Sequence, residues 1–454
     1  MGQLFGTDGI RGVANRYPMT CEMAVNVGRA VASCFSKGGR RPKIIIGRDT
    51  RLSGPMLEHA LSAGICSAGG EALRIGVLPT PGVAHLTVSE QAEAGVMISA
   101  SHNPFYDNGI KIFGSDAFKL SDAAEAGIEA LLMEEGRLRS MCESVQEVGD
   151  DVRIEDAEER YASFLVSTLP PGFHLGGMKL VLDCANGATF RVAPALFRRL
   201  GASVEALFTR PDGRNINEGC GSQHPEHLAR RVVKSGAAVG LAFDGDGDRL
   251  IAVDEQGRVV TGDQMLAVCG RHLMQKGALP GNLVVSTVMS NIGLGMAFRE
   301  MGIVHHKTDV GDRYVMQEMR RSGALLGGED SGHMIFLDRH TTGDGILTAL
   351  RLLEVRIDTG APLSDLTRVM AVYPQILMNV EVAAQPPIES VPEIAEAIAR
   401  VEADLGDQGR VLVRYSGTQP LCRVMIEGPT KEGIERHCRD IVDVVAKTLG
   451  AKGC

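Results

Sequence analysis

Asp244, Asp246 and Asp248 stand at alternate positions, separated by Gly245 and Gly247, directly after the apolar run Val239–Phe243. In an extended segment side chains alternate, so every second residue shares a face and the three carboxylates converge. Crowded anions repel unless a cation sits among them, and an all-oxygen ligand set selects a hard ion such as magnesium. Arg249, next in line, adds a guanidinium suited to phosphate. The pattern predicts a metal site that also holds a phosphoryl group. Three alternatives use the same residues. A solvated acidic turn needs only Asp and Gly. A calcium-binding EF-hand loop, as in a non-catalytic module, finds Glu255 at its twelfth position, but its sixth is Arg249 instead of glycine, and strand-like Leu250–Val253 follows where a helix should. In the third, Asp244 at the end of its strand is itself a phosphorylated nucleophile.

Three further clusters carry chemistry. Ser99-Ala100-Ser101-His102-Asn103-Pro104 follows the strand-like Ala94–Ile98, and Pro104 cannot continue a strand, so the hydroxyls are presented at an elbow. His102 beside Ser101 invites a base assignment, yet adjacent residues rarely face each other, and a Ser/Thr turn closing the strand accounts for the same residues. Downstream, a turn at Asn108-Gly109 and a strand carrying Lys111 could return beside Ser101 and supply a proton shuttle or charge partner. Gly327-Gly328-Glu329-Asp330-Ser331-Gly332-His333 combines glycines, which let backbone approach a ligand, with acid, hydroxyl and imidazole groups suited to sugar hydroxyls. Arg414-Tyr415-Ser416-Gly417-Thr418-Gln419-Pro420, with Arg423 close behind, joins two guanidinium groups to hydroxyls and backbone amides in a phosphate cradle; a solvent turn with incidental arginines is the alternative.

Such groups need a scaffold. Strand-like Ile44–Ile46, Leu180–Leu182, Val239–Phe243 and Leu283–Val285 alternate with helical stretches such as Met23–Phe35 and Val192–Leu200, the rhythm of an α/β protein. Pro170-Pro171-Gly172, Asp254-Glu255-Gln256-Gly257 and Val372-Tyr373-Pro374 mark joints. Beyond the last, two strands at Val411–Val413 and Val424–Ile426 and a helix with Ile434, Cys438, Ile441, Val442 and Val445 on one face predict a smaller α+β unit. The expected segments are 1–155 with the serine loop, 156–257 with the metal loop, 258–371 with the sugar loop and 372–454 with the phosphate loop. No fixed-period sequence repeat is visible, though three successive α/β blocks of similar size could be related in structure.

Composition narrows the partners. A net charge of −9 without a long basic block argues against nucleic acid and membrane surfaces, and leaves a small phosphorylated metabolite needing only a local basic pocket. No run of eighteen apolar residues appears, and Met1–Gly6 lacks the layout of a signal peptide, so cytoplasmic residence is expected. Ten cysteines without a Cys-x-x-Cys pair speak against a zinc or disulfide framework, and the absence of Trp with 4% aromatics removes a stacking platform.

Taken together and in this order, the four loops resemble those of the α-D-phosphohexomutases, over essentially the whole chain. Phe5-Gly6-Thr7-Asp8-Gly9-Ile10-Arg11-Gly12 and Gly219-Cys220-Gly221-Ser222-Gln223-His224 are most similar to the members acting on glucosamine phosphates. The resemblance implies three mixed α/β sandwich domains and a smaller, mobile fourth around a central cleft. It implies that Ser101 carries a phosphate and that Asp244, Asp246 and Asp248 hold magnesium together with an oxygen of that phosphoserine. Glu329 and Ser331 would bind sugar hydroxyls with His333 nearby. Arg414, Ser416, Gly417, Thr418 and Arg423 would grip the non-reacting phosphate, Arg11 and Lys111 would line the reacting end, and Arg249 would neutralise phosphate. The implied reaction interconverts glucosamine 6-phosphate and glucosamine 1-phosphate through a bisphosphate, with Lys111 as candidate for proton transfer and hexosamine or glucose 1,6-bisphosphate as activator. Members acting on glucose or mannose phosphates are the alternative, and monomer and homodimer both stay open. Gln419 stands where the family usually has Glu, and Asp330 where this subgroup more often has Gln.

Overall fold

The computed structural model describes residues 4–6, 8–36, 40–416 and 420–450. They form two compact units, one of Met1–Met289 with Ile303–Arg368 and one of Ser290–Gly302 with Val369–Cys454.

The first unit contains three sheets. The first holds β1 (Ile10–Val13), β2 (Lys43–Arg48), β3 (Glu71–Val77), β4 (Ala94–Ile98), β5 (Asp107–Gly114) and β6 (Asp151–Arg153) in the order β1-β5-β4-β2-β3-β6. The second holds β7 (Lys179–Asp183), β8 (Ser203–Leu207), β9 (Val239–Phe243), β10 (Leu250–Asp254) and β11 (Val259–Val260) in the order β11-β10-β9-β7-β8. The third holds β12 (Leu283–Thr287), β13 (Val304–Thr308), β14 (Leu326–Gly328) and β15 (Met334–Phe336) in the order β13-β12-β14-β15.

One topology recurs in all three. Taking β2–β5, β7–β10 and β12–β15 as sets of four, each sheet places them in the order fourth, third, first, second. The first strand is parallel to its two neighbours, and the fourth is antiparallel to the third. The connection from third to fourth strand is the serine loop in the first sheet, the aspartate loop in the second and the Glu329 loop in the third. The blocks are thus related in backbone without a shared sequence period. Their central strands, Ala94–Ile98 and Val239–Phe243, are buried along their whole length, which is why they read as continuous apolar runs instead of alternating ones.

Local signals set the helix boundaries. The helix expected at Met23–Phe35 begins at Cys21, because Thr20 caps it by accepting the Met23 amide at 3.2 Å. Asn108-Gly109, expected as a turn, lies inside β5 instead: Arg11 and Gly12 of β1 pair with Gly109 and Asn108, extending the ladder over them.

The second unit is an antiparallel sheet of β16 (Gln375–Glu381), β17 (Arg410–Tyr415) and β18 (Leu421–Glu427) in the order β16-β18-β17. Ile394 and Ala397 of helix Pro392–Leu405, and Ile434, Cys438, Ile441 and Val445 of helix Lys431–Leu449, share its core with Val424 and Ile426. Ser290–Gly302 belongs to this unit although the sequence reading leaves it in the third segment. The cause is Glu427, wholly buried, whose carboxylate accepts from Asn291 Nδ2 at 3.2 Å and the Ile292 amide at 3.1 Å and pairs with Arg410 at 2.8 Å. Among the described residues no helix is long and apolar enough to cross a membrane.

Candidate active site

The aspartates converge, but not by strand alternation. Residues 244–249 form a turn between the antiparallel β9 and β10, with Gly247 at φ +72°, a conformation an extended segment cannot contain. The turn is pinned where Arg249 donates its amide to Asp244 Oδ1 at 3.1 Å and Gly247 donates to the Asp244 carbonyl at 3.2 Å. All three side chains are buried, and oxygens from the three carboxylates lie within 4.8 Å of one another. Asp246 Oδ2 accepts from Thr80 Oγ1 at 2.6 Å and Lys111 Nζ at 2.9 Å, and Lys111 reaches Asp248 Oδ2 at 3.3 Å. Asp246 Oδ1 and Asp248 Oδ1 are buried with no hydrogen-bond partner. Buried carboxylate oxygens without donors, converging with a third acid, fit a hard divalent ion such as magnesium. Burial, reinforced by Asp248 and Asp246, pushes the Asp244 carboxyl well above the usual range. Asp246 is as deeply buried, yet Lys111 and the Thr80 hydroxyl overcome that and hold it below.

The serine loop meets these acids directly. Ser101 Oγ donates to Asp244 Oδ2 at 2.7 Å. Ser101 has φ +52°, and this left-handed backbone also brings its Oγ within 3.4 Å of Nδ1 of the neighbouring His102, so these adjacent residues do face each other. Burial, helped by Arg249 and Arg11, lowers the His102 imidazole to about 4, leaving it neutral at physiological pH. Lys111 is the opposite case. Burial opposes its charge, but Asp246, Asp8 and Asp248 outweigh it and hold the ammonium firmly protonated. The geometry makes it a charge partner of Asp8, Asp246 and Asp248; a basic shuttle would need the neutral amine.

A cavity of about 430 Å³ opens beside the two loops, lined by Asp8, Arg11, His102, Asp248, Arg249, Glu329 and His333 among others. Burial disfavours the Arg249 guanidinium, but Asp248, Asp244 and Glu329 more than compensate. Glu329 Oε1 accepts the Gly311 amide at 3.1 Å. His333 is 3% exposed; neither ring nitrogen has a hydrogen-bond partner, and Nε2 stands 3.6 Å from Asp312 and 3.9 Å from Asp248. Ser101 and Ser331 are not among the residues lining the cavity. Ser101 is buried, and Ser331 keeps a buried hydroxyl without a partner. Asp330 turns from the cavity toward helix Gly262–Gln275, its Oδ1 accepting the Asp263 amide at 3.3 Å.

Within the C-terminal unit, Arg414 and Arg423 are direct cross-strand partners, and Arg423 Nη2 donates to Ser416 Oγ at 3.4 Å. Burial and the neighbouring Arg423 both lower the Arg414 pKa. Like charges placed opposite each other destabilise a sheet, so the pair suits an anionic ligand. Gly417, Thr418 and Gln419 lie outside the described residues.

Several participants escaped the sequence reading. Asp8 pairs with Arg11 and with Lys111 at 3.2 Å, and Lys119 bridges Asp8 and Asp312. Asp8 lies in a stretch already singled out, whereas Thr80, Lys119 and Asp312 are isolated in sequence and give no local signal.

The chain is similar to known proteins along essentially its whole length. Residues 2–139, 159–257 and 261–373 match alpha/beta/alpha domains I, II and III of phosphoglucomutase/phosphomannomutase, and 377–444 match its C-terminal domain. The chain therefore belongs to the phosphoglucomutase/phosphomannomutase family, the α-D-phosphohexomutases. A phosphoglucosamine mutase of Syntrophus aciditrophicus is 57% identical over 450 residues, covering 99% of this chain and all of that one. The crystal structure of a phosphoglucomutase/phosphomannomutase family protein from Burkholderia thailandensis superposes with a TM-score of 0.80 at 25% identity, covering 98% of this chain and 97% of that one. N-acetylphosphoglucosamine mutase of Aspergillus fumigatus, solved with GlcNAc-6P and magnesium, shares the fold with a TM-score of 0.63 at 16% identity, covering 98% and 95%.

Proposed function

We propose that this chain is a cytoplasmic enzyme interconverting glucosamine 6-phosphate and glucosamine 1-phosphate through a phosphorylated Ser101 and a glucosamine 1,6-bisphosphate. The observation that carries this reading is the 2.7 Å hydrogen bond from the Ser101 hydroxyl to Asp244, inside a cluster of three carboxylates. Phosphoryl passes from Ser101 to the free sugar hydroxyl, breaking the serine P–O bond. After the bisphosphate turns over, its other phosphate returns to Ser101. Each exchange moves one proton from the attacking oxygen to the departing one. Lys111, beside Asp246 and Asp248, and His102, beside Ser101, are the candidates for that relay. Asp244, Asp246 and Asp248 would hold magnesium, which when bound offsets charge on the transferring group.

Arg11 and Arg249 bind the reacting phosphate, Glu329, Ser331 and His333 orient the sugar, and Arg414, Ser416, Gly417, Thr418 and Arg423 take the other phosphate. Each of the segments 1–155, 156–257, 258–371 and 372–454 thus contributes one loop. A hexosamine or glucose 1,6-bisphosphate primes Ser101. Comparing kcat/KM for the 6-phosphates of glucosamine, glucose and mannose tests the sugar assignment. A preference of at least about tenfold for glucosamine, a discrimination of about 1.4 kcal/mol, is expected. Equal values would overturn it.

A further inference from the structure

Arg51 takes no part in the chemistry above, yet it is wholly buried and all its side-chain hydrogen bonds but one go to the serine loop and to Asp107, the first residue of β5. Its Nη2 donates to the carbonyls of Ser101 at 2.9 Å and Asn103 at 2.8 Å, and its Nη1 to that of Asp107 at 3.1 Å and to that of Pro104. The exception is Nε, which donates to Asp49 Oδ2 at 2.8 Å. The same carboxylate oxygen accepts Ser99 Oγ at 2.6 Å, and Ser99 Oγ accepts the Ser101 amide at 2.9 Å. Both backbone groups of Ser101 are therefore held by one buried network. A second clamp comes from the loop after β8: Asn217 Nδ2 donates to the Ser101 carbonyl at 2.9 Å and the Asn103 carbonyl at 3.1 Å. The Ser101 carbonyl, with two lone pairs, thus receives fixed donors from two different sheets' loops.

This arrangement has a cost that packing alone would not incur. A buried guanidinium loses hydration, and an apolar side chain of the same volume would fill the space at less expense. What the guanidinium provides is direction. Ser101 occupies a left-handed conformation that a non-glycine residue adopts only when its surroundings impose it. That conformation aims Oγ at Asp244. We infer that Arg51 and Asn217 are positioning residues for phosphoryl transfer, locking the peptides on either side of Ser101 so that its oxygen returns to the same place in both halves of the reaction. The inference rests on Ser101 being the phosphoryl carrier.

The test uses the full-length protein with Arg51→Lys, which keeps a charge beside Asp49 but cannot span four carbonyls, and Asn217→Gly, which removes the amide while tolerating the observed φ of +60°. Melting temperature, magnesium affinity, kcat, KM for glucosamine 6-phosphate and the lifetime of the phosphoenzyme by intact mass are measured. Asn217→Gly is expected to melt like the parent and bind magnesium equally, with kcat down about 10- to 100-fold, KM little changed and faster loss of phosphate to water. Arg51→Lys should lose more kcat; should it fail to fold, Asn217→Gly decides alone. Parental kcat and phosphoenzyme lifetime in folded Asn217→Gly would overturn the inference, as would a change confined to KM. Ser101→Ala separates the two levels. If it retains turnover, the carrier reading and this inference fall together. If it is inactive while Asn217→Gly is normal, only the inference falls.

Discussion

Replacing Lys111 by methionine keeps a long apolar stem and deletes one charge, and the consequences for metal binding and for turnover have opposite signs. The ammonium is 2% exposed and lies 2.9 Å from Asp246, 3.2 Å from Asp8 and 3.3 Å from Asp248. A pair of unit charges about 4 Å apart interacts by about 4 kcal/mol at an effective dielectric of about 20. Removing one partner of such a buried pair costs about 3–5 kcal/mol, because the acids left behind are uncompensated. In EDTA, Lys111→Met should therefore melt well below the parent. Two of the acids neutralised by the ammonium, Asp246 and Asp248, are among those that would hold a divalent ion, so lysine and metal compete for them. If half of the pair energy survives screening and relaxation, about 2 kcal/mol is returned to the ion, and affinity rises about 10- to 100-fold. Titration calorimetry with magnesium on dephosphorylated protein, alongside melts with and without the ion, measures this. Turnover should fall, since the ammonium proposed to line the reacting end is gone. Unchanged or weaker magnesium binding by folded Lys111→Met would refute the competition, and with it the assignment of the three aspartates as ligands.

Two other perturbations probe the scaffold. Tyr161 donates to Asp344 Oδ2 at 2.8 Å, while Asp344 Oδ1 caps helix Gly345–Thr359 by accepting the Leu347 amide at 2.9 Å. Burial raises the Asp344 carboxyl to about 7, against the bonds from Leu347 and Tyr161 that lower it. A folded value above the unfolded one means that its contribution to stability is complete below the ordinary aspartate pKa of about 4 and is lost as pH rises through about 7. Tyr161→Phe removes a donor that matters most to the ionised form, so its melting deficit should grow from pH 5 to pH 8.5, from about 1 kcal/mol toward about 1.5–3 kcal/mol; a deficit independent of pH would contradict the titration. Gly245→Ala places a methyl 2.5 Å from the Ser101 carbonyl oxygen, so the serine and aspartate loops must separate. A fall in kcat of at least about tenfold in a folded protein is expected, and parental kcat would show that the loops tolerate separation.

The sequence was informative where chemistry is local and silent where it is assembled from afar. Buried strands such as Ala94–Ile98 and Val239–Phe243 announce themselves because both faces are covered, and the acidic trio is contiguous. Even there the geometry differed: a turn with Gly247 at positive φ, and not a straight strand, gathers the carboxylates. Thr80, Lys119, Asp312, Arg51 and Asn217 reach the site singly from separate elements, and a lone Thr or Asn carries no pattern to read. The common strand order of the three sheets was also hidden, because the blocks share backbone connectivity without a shared sequence period. Ser290–Gly302 joins the C-terminal unit through one buried carboxylate, Glu427, far along the chain.

The central claim is that the Ser101 hydroxyl, hydrogen-bonded to Asp244, is the atom that carries phosphate. Intact mass and phosphopeptide mapping after incubation with glucose 1,6-bisphosphate and magnesium test it directly. A single acid-stable phosphate on Ser101, absent from Ser101→Ala, is the expected result. An acid-labile, hydroxylamine-sensitive phosphate on Asp244, or no phosphate in a protein that still interconverts the sugar phosphates, would contradict it.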